Sequence, residues 1–250
     1  MSRIKQSISW WCFGKENPKT FLPAIAGIGI VGIELAPPDL FDEARAAGLQ
    51  IVSHGVGSLT DGLNNPANHA RIEDELLKTL DLVKKYQIPN LILFSGNRNG
   101  LNDETGAANT AQGLRRLAPH AEKAGVTLVL ELLNSKVDHI DYQCDHTEWG
   151  VKVVQHVASP RVKLLYDIYH MQIMEGDLIR TIRKNVSYFG HIHTAGNPGR
   201  NDLDATQEIL YPPLMRALVE GGYQGYVGHE FIPKGDALSA LKQAYDLCSV

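Results

Sequence analysis

The stretch Thr127-Leu128-Val129-Leu130-Glu131-Leu132-Leu133-Asn134 carries the pattern that decides the fold. Apart from one carboxylate near its end, it is apolar on both faces of an extended chain. A strand of that kind must be covered on both faces, which is typical of a parallel sheet with helices packed around it. The stretch therefore predicts a buried parallel strand over residues 127–133.

The same pattern recurs from one end of the chain to the other, because short apolar runs alternate with longer helical patterns. Eight strands are predicted, at residues 8–13, 30–35, 50–54, 91–94, 127–133, 163–167, 188–193 and 226–231. The predicted helices cover residues 21–28, 40–47, 72–85, 110–123, 148–157, 178–184, 213–220 and 237–247. Eight alternating units favour an α/β fold closed as a single (β/α)8 TIM barrel.

No linker or low-complexity tract interrupts the alternation, so we expect one domain over residues 1–250. An open sheet that binds a dinucleotide would need a Gly-x-Gly-x-x-Gly motif after the first strand. The residues after Phe13 read Gly14-Lys15-Glu16-Asn17-Pro18 instead. This absence again favours the barrel.

Charge and cysteine content narrow the class of partner. The net charge is −4, with 24 basic and 28 acidic residues scattered along the chain, so we expect neither nucleic acid nor a membrane surface as a partner. The three cysteines form no metal-type spacing and indicate a reducing compartment. With no signal-peptide pattern and no run of eighteen apolar residues, the chain is expected in the cytoplasm.

Four consecutive late strands end in groups that bind metals: Glu131, Asp167, His193 and Glu230. One such carboxylate could simply cap the next helix. A barrel, however, brings the carboxyl ends of its strands to one axis, where uncompensated carboxylates would repel one another. The four residues therefore predict a site for one divalent metal ion. Three carboxylates and an imidazole suit Mn²⁺ or Mg²⁺ best, and the nitrogen ligand is also compatible with Co²⁺ or Zn²⁺.

Two further residues lie close to these ligands in sequence. His170 follows Asp167 by three residues and is near enough to reach a bound substrate, although a surface or capping histidine explains it equally well. Arg200 follows His193 in a loop that could fold over the mouth of the barrel, where its guanidinium would hold a carboxylate or hydroxyl. A solvated loop charge is the alternative.

These residues resemble the hydroxypyruvate isomerase group of the xylose isomerase-like TIM barrels, with ketose 3-epimerases as more distant relatives. The resemblance is strongest over residues 164–178 (LLYDIYHMQIMEGDL), at Gly190-His191, at Pro198-Gly199-Arg200, over residues 222–231 (GYQGYVGHEF) and over residues 233–236. It implies that Glu131, Asp167, His193 and Glu230 ligate one metal and that Glu131 and Glu230 also carry protons. It further implies that His170 and Arg200 contact substrate, and that His54 and Glu34 line the substrate pocket.

The chain departs from that group at two places. Hydroxypyruvate isomerases tend to have glutamine where this chain has His193, whereas the sugar epimerases have histidine. Residues 136–145 form a polar loop after the fifth strand, and ordinary loop polarity best explains its His139, Asp141 and Cys144.

The resemblance implies a metal-dependent isomerase that acts on a small hydroxy-carbonyl sugar or keto acid, such as hydroxypyruvate, through an enediolate. A ketose 3-epimerase, a dehydratase of a cyclic polyol or hydroxy acid, and a barrel that binds sugar without catalysis remain as alternatives. A type IV apurinic endonuclease is disfavoured, because residues 201–204 lack the Asp-x-His pair that would help to hold its several zinc ions. A barrel of this size is also compatible with a homo-oligomer.

Overall fold

Eight parallel strands close into a barrel in the computed structural model, which describes residues 4–250. Each strand pairs with its neighbours in the chain, and β1 pairs with β8 to close the ring. The strands are β1 (Lys5–Ser9), β2 (Gly32–Glu34), β3 (Gln50–Gly55), β4 (Asn90–Leu93), β5 (Thr127–Leu132), β6 (Val162–Asp167), β7 (Phe189–Thr194) and β8 (Tyr226–His229). The predicted TIM barrel is confirmed. The first three residues of the expected 1–250 domain lie outside the described residues.

Helices surround this barrel. They are α1 (Pro18–Ile28), α2 (Phe41–Ala46), α3 (His69–Tyr86), α4 (Asp103–Ala124), α5 (Thr147–Val157), α6 (Ile168–Met174), α7 (Leu178–Asn185), α8 (Tyr211–Glu220) and α9 (Ala237–Cys248). Asn17, Asn102 and Asp236 cap α1, α4 and α9 by accepting backbone N–H groups. Within residues 4–250, no helix combines the length and apolarity that crossing a membrane requires.

The predicted position of the first strand, residues 8–13, is wrong. The strand is β1 (Lys5–Ser9), and the aromatic residues after it form a short 3-10 helix, Trp10–Cys12. The apolar pattern failed because Ser7 and Ser9 are buried although they are polar. The Ser7 hydroxyl donates a hydrogen bond of 2.5 Å to Glu34 inside the barrel, which satisfies it there.

The helix α6, which begins directly where β6 ends, was not predicted. The carboxylate of Asp167 caps this helix, because its Oδ1 accepts the backbone N–H of His170 at 3.1 Å. A helix of one or two turns that is buried over Ile168–Met171 has no polar face, so its sequence lacks the usual helical periodicity.

The side chains that fill the barrel change from apolar to polar along its axis. Ile92, Val129 and Leu165 form a small apolar cluster of their own within it. Two residues further along β5 and β6, on the same face of each strand, come Glu131 and Asp167. The apolar layer therefore closes the barrel below, and the polar residues face its carboxyl end, where barrel active sites are built.

Candidate metal centre and active site

Glu131, Asp167, His193 and Glu230 converge at the carboxyl end of the barrel. Each offers one ligand atom, and the four atoms lie within 4.8 Å of one another. The Nδ1 atom of His193 is 3.2 Å from Glu230 Oε2, 3.5 Å from Glu131 Oε1 and 4.0 Å from Asp167 Oδ2. None of the four residues is more than 4% exposed. Strands β5, β6 and β7 and the residue after β8 thus deliver four ligands to one point.

The chemistry of this cluster fits a divalent cation. Three carboxylates buried together carry a charge that water cannot screen. The Nδ1 atom of His193 is buried among them and has no hydrogen-bond partner in the described part of the chain. A neutral imidazole nitrogen that faces three carboxylate oxygens is a ligand set for a single ion of the Mn²⁺, Mg²⁺, Co²⁺ or Zn²⁺ type.

The pKa values of the four residues are shifted because the residues are buried close together. Burial raises the pKa of Asp167 to about 7 and also raises the pKa of Glu131. Burial opposes ionisation of Glu230 too, but His193 and Arg200 hold its pKa well below the usual range. Burial alone would lower the pKa of His193, yet the Glu230 and Glu34 carboxylates raise it well above the ordinary value. Without a cation, protons neutralise the cluster.

Glu34 lies inside the barrel and makes contact with the other ring nitrogen of His193. Its Oε2 atom is 3.1 Å from His193 Nε2 and 2.6 Å from His191 Nε2, and it accepts the Ser53 hydroxyl at 3.2 Å. Its Oε1 atom accepts the Ser7 hydroxyl. Since protein groups occupy both oxygens, the structure corrects our expectation that Glu34 lines the substrate pocket: the residue lies behind a proposed metal ligand.

Two residues from outside the strands hold Glu230. Arg200 donates from Nη2 to Glu230 Oε2 at 2.5 Å, and the Trp11 indole donates to Glu230 Oε1 at 2.8 Å. The guanidinium of Arg200 also lies over the rings of Trp11 and Tyr169, 5.1 and 5.7 Å from their centroids. Arg200 is thus brought to the cluster, and so is Trp11, which the predicted bounds of the first strand had placed within that strand.

His170 is also brought to the cluster, and its environment selects its tautomer. The Asn134 amide orients its oxygen toward the backbone N–H groups of Val137 and Asp138, so its Nδ2 donates to His170 Nδ1 at 2.6 Å and to Asp138 Oδ2 at 2.7 Å. The proton of a neutral His170 must then lie on Nε2. That nitrogen is buried, unpartnered and 3.6 Å from Asp167 Oδ2. His170 therefore presents an N–H donor at the cluster.

The structure separates His54 from this group and corrects its expected role. Side chains alternate along β3, and Ser53 points into the barrel toward Glu34. His54 consequently points outward, where its ring packs edge-on against Phe41 at the start of α2. It is half-buried among the helices and does not face the cluster.

The polar loop of residues 136–145 lies beside the site. Its Asp138 accepts the hydroxyl of Tyr169 at 2.8 Å, and the His139 ring packs 5.2 Å from that of His170. The Nε2 atom of His139 is buried without a partner in residues 4–250. Loop polarity alone accounts neither for these contacts nor for Cys144, which is fully buried. It suits Asp141, whose carboxylate accepts the backbone N–H of Asn99.

Comparison with known proteins places the chain in a family. A family model described as xylose isomerase-like TIM barrel matches residues 25–247. A human protein provisionally named hydroxypyruvate isomerase is 26% identical, over 96% of this chain and 92% of that protein. The hydroxypyruvate isomerase of Escherichia coli K12 is 32% identical over 57% of this chain and 55% of the enzyme.

Solved structures share the fold. A crystal structure from Brucella melitensis, described as an AP endonuclease of family 2, is 28% identical with a TM-score of 0.85, over 96% of this chain and 97% of that one. An L-ribulose 3-epimerase structure is 20% identical with a TM-score of 0.82, over 97% of this chain and 92% of that one. The chain therefore belongs to the xylose isomerase-like TIM barrel family, alongside enzymes named as isomerases.

Proposed function

We propose that this protein is a divalent-metal-dependent isomerase of a small hydroxy-carbonyl substrate, either a keto acid of the hydroxypyruvate type or a short sugar. One observation carries the proposal: Glu131, Asp167, His193 and Glu230 are buried with their ligand atoms within 4.8 Å of one another at the active end of the barrel. Full-length similarity to a protein provisionally named hydroxypyruvate isomerase supports the reaction class.

Each group of residues at the site has its own role in the proposed reaction. A divalent cation bound there would lower the cost of negative charge on two adjacent substrate oxygens. Glu131 and Glu230 exchange protons with the substrate: one removes a proton from the carbon beside the carbonyl, and the other returns one. His170 Nε2 and Arg200 Nε are buried donors without partners in the described chain, so they are free to bind substrate oxygens. Return of the proton to the former carbonyl carbon, together with transfer of the substrate's hydroxyl proton to the former carbonyl oxygen, completes an isomerisation.

A second candidate, a ketose 3-epimerase, is favoured by one residue. His193 occupies the position where hydroxypyruvate isomerases tend to have glutamine and sugar epimerases histidine. The same two glutamates would serve, because return of the proton to the opposite face of the same carbon inverts that carbon. Because both reactions use the same two glutamates, the product decides between them.

The test is a substrate screen with purified protein, to which Mn²⁺ or Mg²⁺ is added. Hydroxypyruvate, tetruloses, pentuloses and hexuloses are incubated in D₂O, and NMR identifies the product and the deuterated carbon. We expect turnover that a chelator abolishes and added cation restores. Loss of water would indicate a dehydratase, and cleavage of an abasic DNA duplex would indicate the nuclease activity for which the Brucella structure is named.

A Glu131→Gln variant separates an enzyme from a barrel that only binds sugar. We expect its turnover to fall by about 10²–10⁴-fold, because the amide cannot exchange a proton. Unchanged function in this variant would support the non-catalytic alternative.

The expected location of the protein is the cytoplasm. The absence of a disulfide among the three cysteines of the described residues is consistent with a reducing compartment.

A further inference from the structure

The Nε2 atom of His193, on the side of the ring away from the carboxylate cluster, also has a buried partner. This atom is 3.1 Å from Glu34 Oε2, which is hydrogen-bond distance, and both residues are fully buried. Glu34 comes from β2 and His193 from β7, so the contact spans the interior of the barrel. Because a carboxylate can only accept, the proton of a neutral His193 must lie on Nε2. Its Nδ1 then points a lone pair at the carboxylate cluster.

Gly228 of β8 leaves the space that this contact needs. A Cβ atom at that position would lie 2.0 Å from Glu34 Oε1 and 3.0 Å from His193 Cδ2. Even alanine would therefore have to displace the carboxylate. The neighbouring Ser7 and Ser53 hydroxyls hold the two oxygens of Glu34 from the side. Three strands thus provide a cradle for one buried carboxylate.

From this geometry we infer that Glu34 is a positioning residue for the metal: it fixes the tautomer and ring orientation of His193 so that Nδ1 can bind the cation. The inference rests on the proposed function, since it concerns the same centre. A carboxylate behind a metal-binding histidine makes the imidazole a stronger ligand, and loss of such a partner typically costs 10–100-fold in metal affinity. Glu34 does not touch the substrate in this assignment.

The test measures Mn²⁺ binding by isothermal titration in Glu34→Gln and Gly228→Ala. We expect the dissociation constant to rise about 10–100-fold in both, because one variant removes the charge and the other displaces it. Gly27→Ala is the matched control: it adds the same methyl group in α1, where the new Cβ meets no atom within 4 Å outside the backbone of its own helix, so its affinity should stay within about twofold of wild type. A purely structural role would lower the unfolding midpoint and leave Mn²⁺ affinity unchanged.

A measurement on the unmutated protein keeps the inference testable if the variants fail to fold. In ¹⁵N-labelled protein loaded with Mg²⁺, we expect the proton of His193 on Nε2 and none on Nδ1. A proton on Nδ1 would overturn the inference, as would wild-type Mn²⁺ affinity in folded Glu34→Gln and Gly228→Ala. If the wild-type protein binds neither Mn²⁺ nor Mg²⁺, the proposed function itself fails and this inference with it.

Discussion

Single hydrogen bonds decide how the two histidines at the centre can act. His193 has a carboxylate behind one nitrogen and an unpartnered nitrogen in front, as expected of a metal ligand. His170 has the opposite arrangement, because Asn134 donates to its Nδ1 and leaves an N–H group toward the cluster. The same residue type is therefore prepared as an acceptor at one position and as a donor at the other.

At the residue scale we predict that Asn134→Asp impairs turnover more than metal binding. An aspartate in this place presents oxygen instead of N–H to His170 Nδ1, so the proton would move to Nδ1 and the donor facing the cluster would be lost. Loss of one such donor typically costs about 100-fold in kcat. Steady-state kinetics and Mn²⁺ titration check this. An equal loss of kcat and of metal affinity would contradict the assigned role of His170.

At the scale of elements, one carboxylate serves both a strand end and a helix start. Asp167 ends β6, caps α6 through Oδ1 and points Oδ2 into the cluster. From the sequence, helix capping and metal binding were alternative roles for this carboxylate, and the structure allows both because a carboxylate has two oxygens. The cap orients the side chain, so formation of the short helix positions the proposed ligand.

We predict that Asp167→Asn separates these two roles. Asparagine caps helices as well as aspartate does, so α6 should persist. The metal-free variant should be at least as stable as wild type at pH 8, because it no longer buries an ionised carboxylate there. Its Mn²⁺ affinity should fall by more than tenfold, since one anionic ligand is gone. Urea denaturation and titration measure the two effects, and an intact affinity would remove Asp167 from the ligand set.

At the scale of the whole molecule, the barrel brings together more negative charge than the neighbouring basic side chains neutralise. The strands bring three buried carboxylates together, and the basic groups beside them within residues 4–250 are His193, Arg200 and the neutral, donor-side nitrogen of His170. The metal-free protein therefore holds protons that a cation would displace. Cation binding should consequently stabilise the protein and depend on pH.

We predict that Mn²⁺ at about 100 times its dissociation constant stabilises the protein by about 2.7 kcal/mol, which raises Tm by roughly 5–10 °C. Folding raises the pKa of Asp167 from 3.8 to about 7, so this group makes the metal-free protein less stable as the pH rises between these values. Below pH 7 the same proton competes with the cation. At a fixed Mn²⁺ concentration, the gain in Tm should be larger at pH 8 than at pH 6, and scanning calorimetry checks it. An equal gain at both values would argue against proton displacement.

The parts of the site that could be predicted from sequence lie on regular elements. Glu131, Asp167, His193 and Glu230 were predictable because each ends a strand, and parallel strands in a barrel carry their ends to one place. Trp11 was not predicted as a contact of Glu230, because the wrong bounds of the first strand assigned it to the strand itself. His54 was misplaced because a strand pattern does not reveal which of two alternating faces points inward.

The amino-acid sequence by itself determined the alternation of strands and helices, the closed barrel and the identity of four residues at its active end, because these follow from local periodicity and a repeated topology. Only the tertiary structure decided what those residues touch. The contact between Glu34 and His193 joins positions 159 residues apart, and it depends on the space that Gly228 leaves on a third strand. Hydrogen bonds across a barrel depend on the shear and twist that bring distant side chains to within 3 Å or so of each other, and no local pattern records that distance.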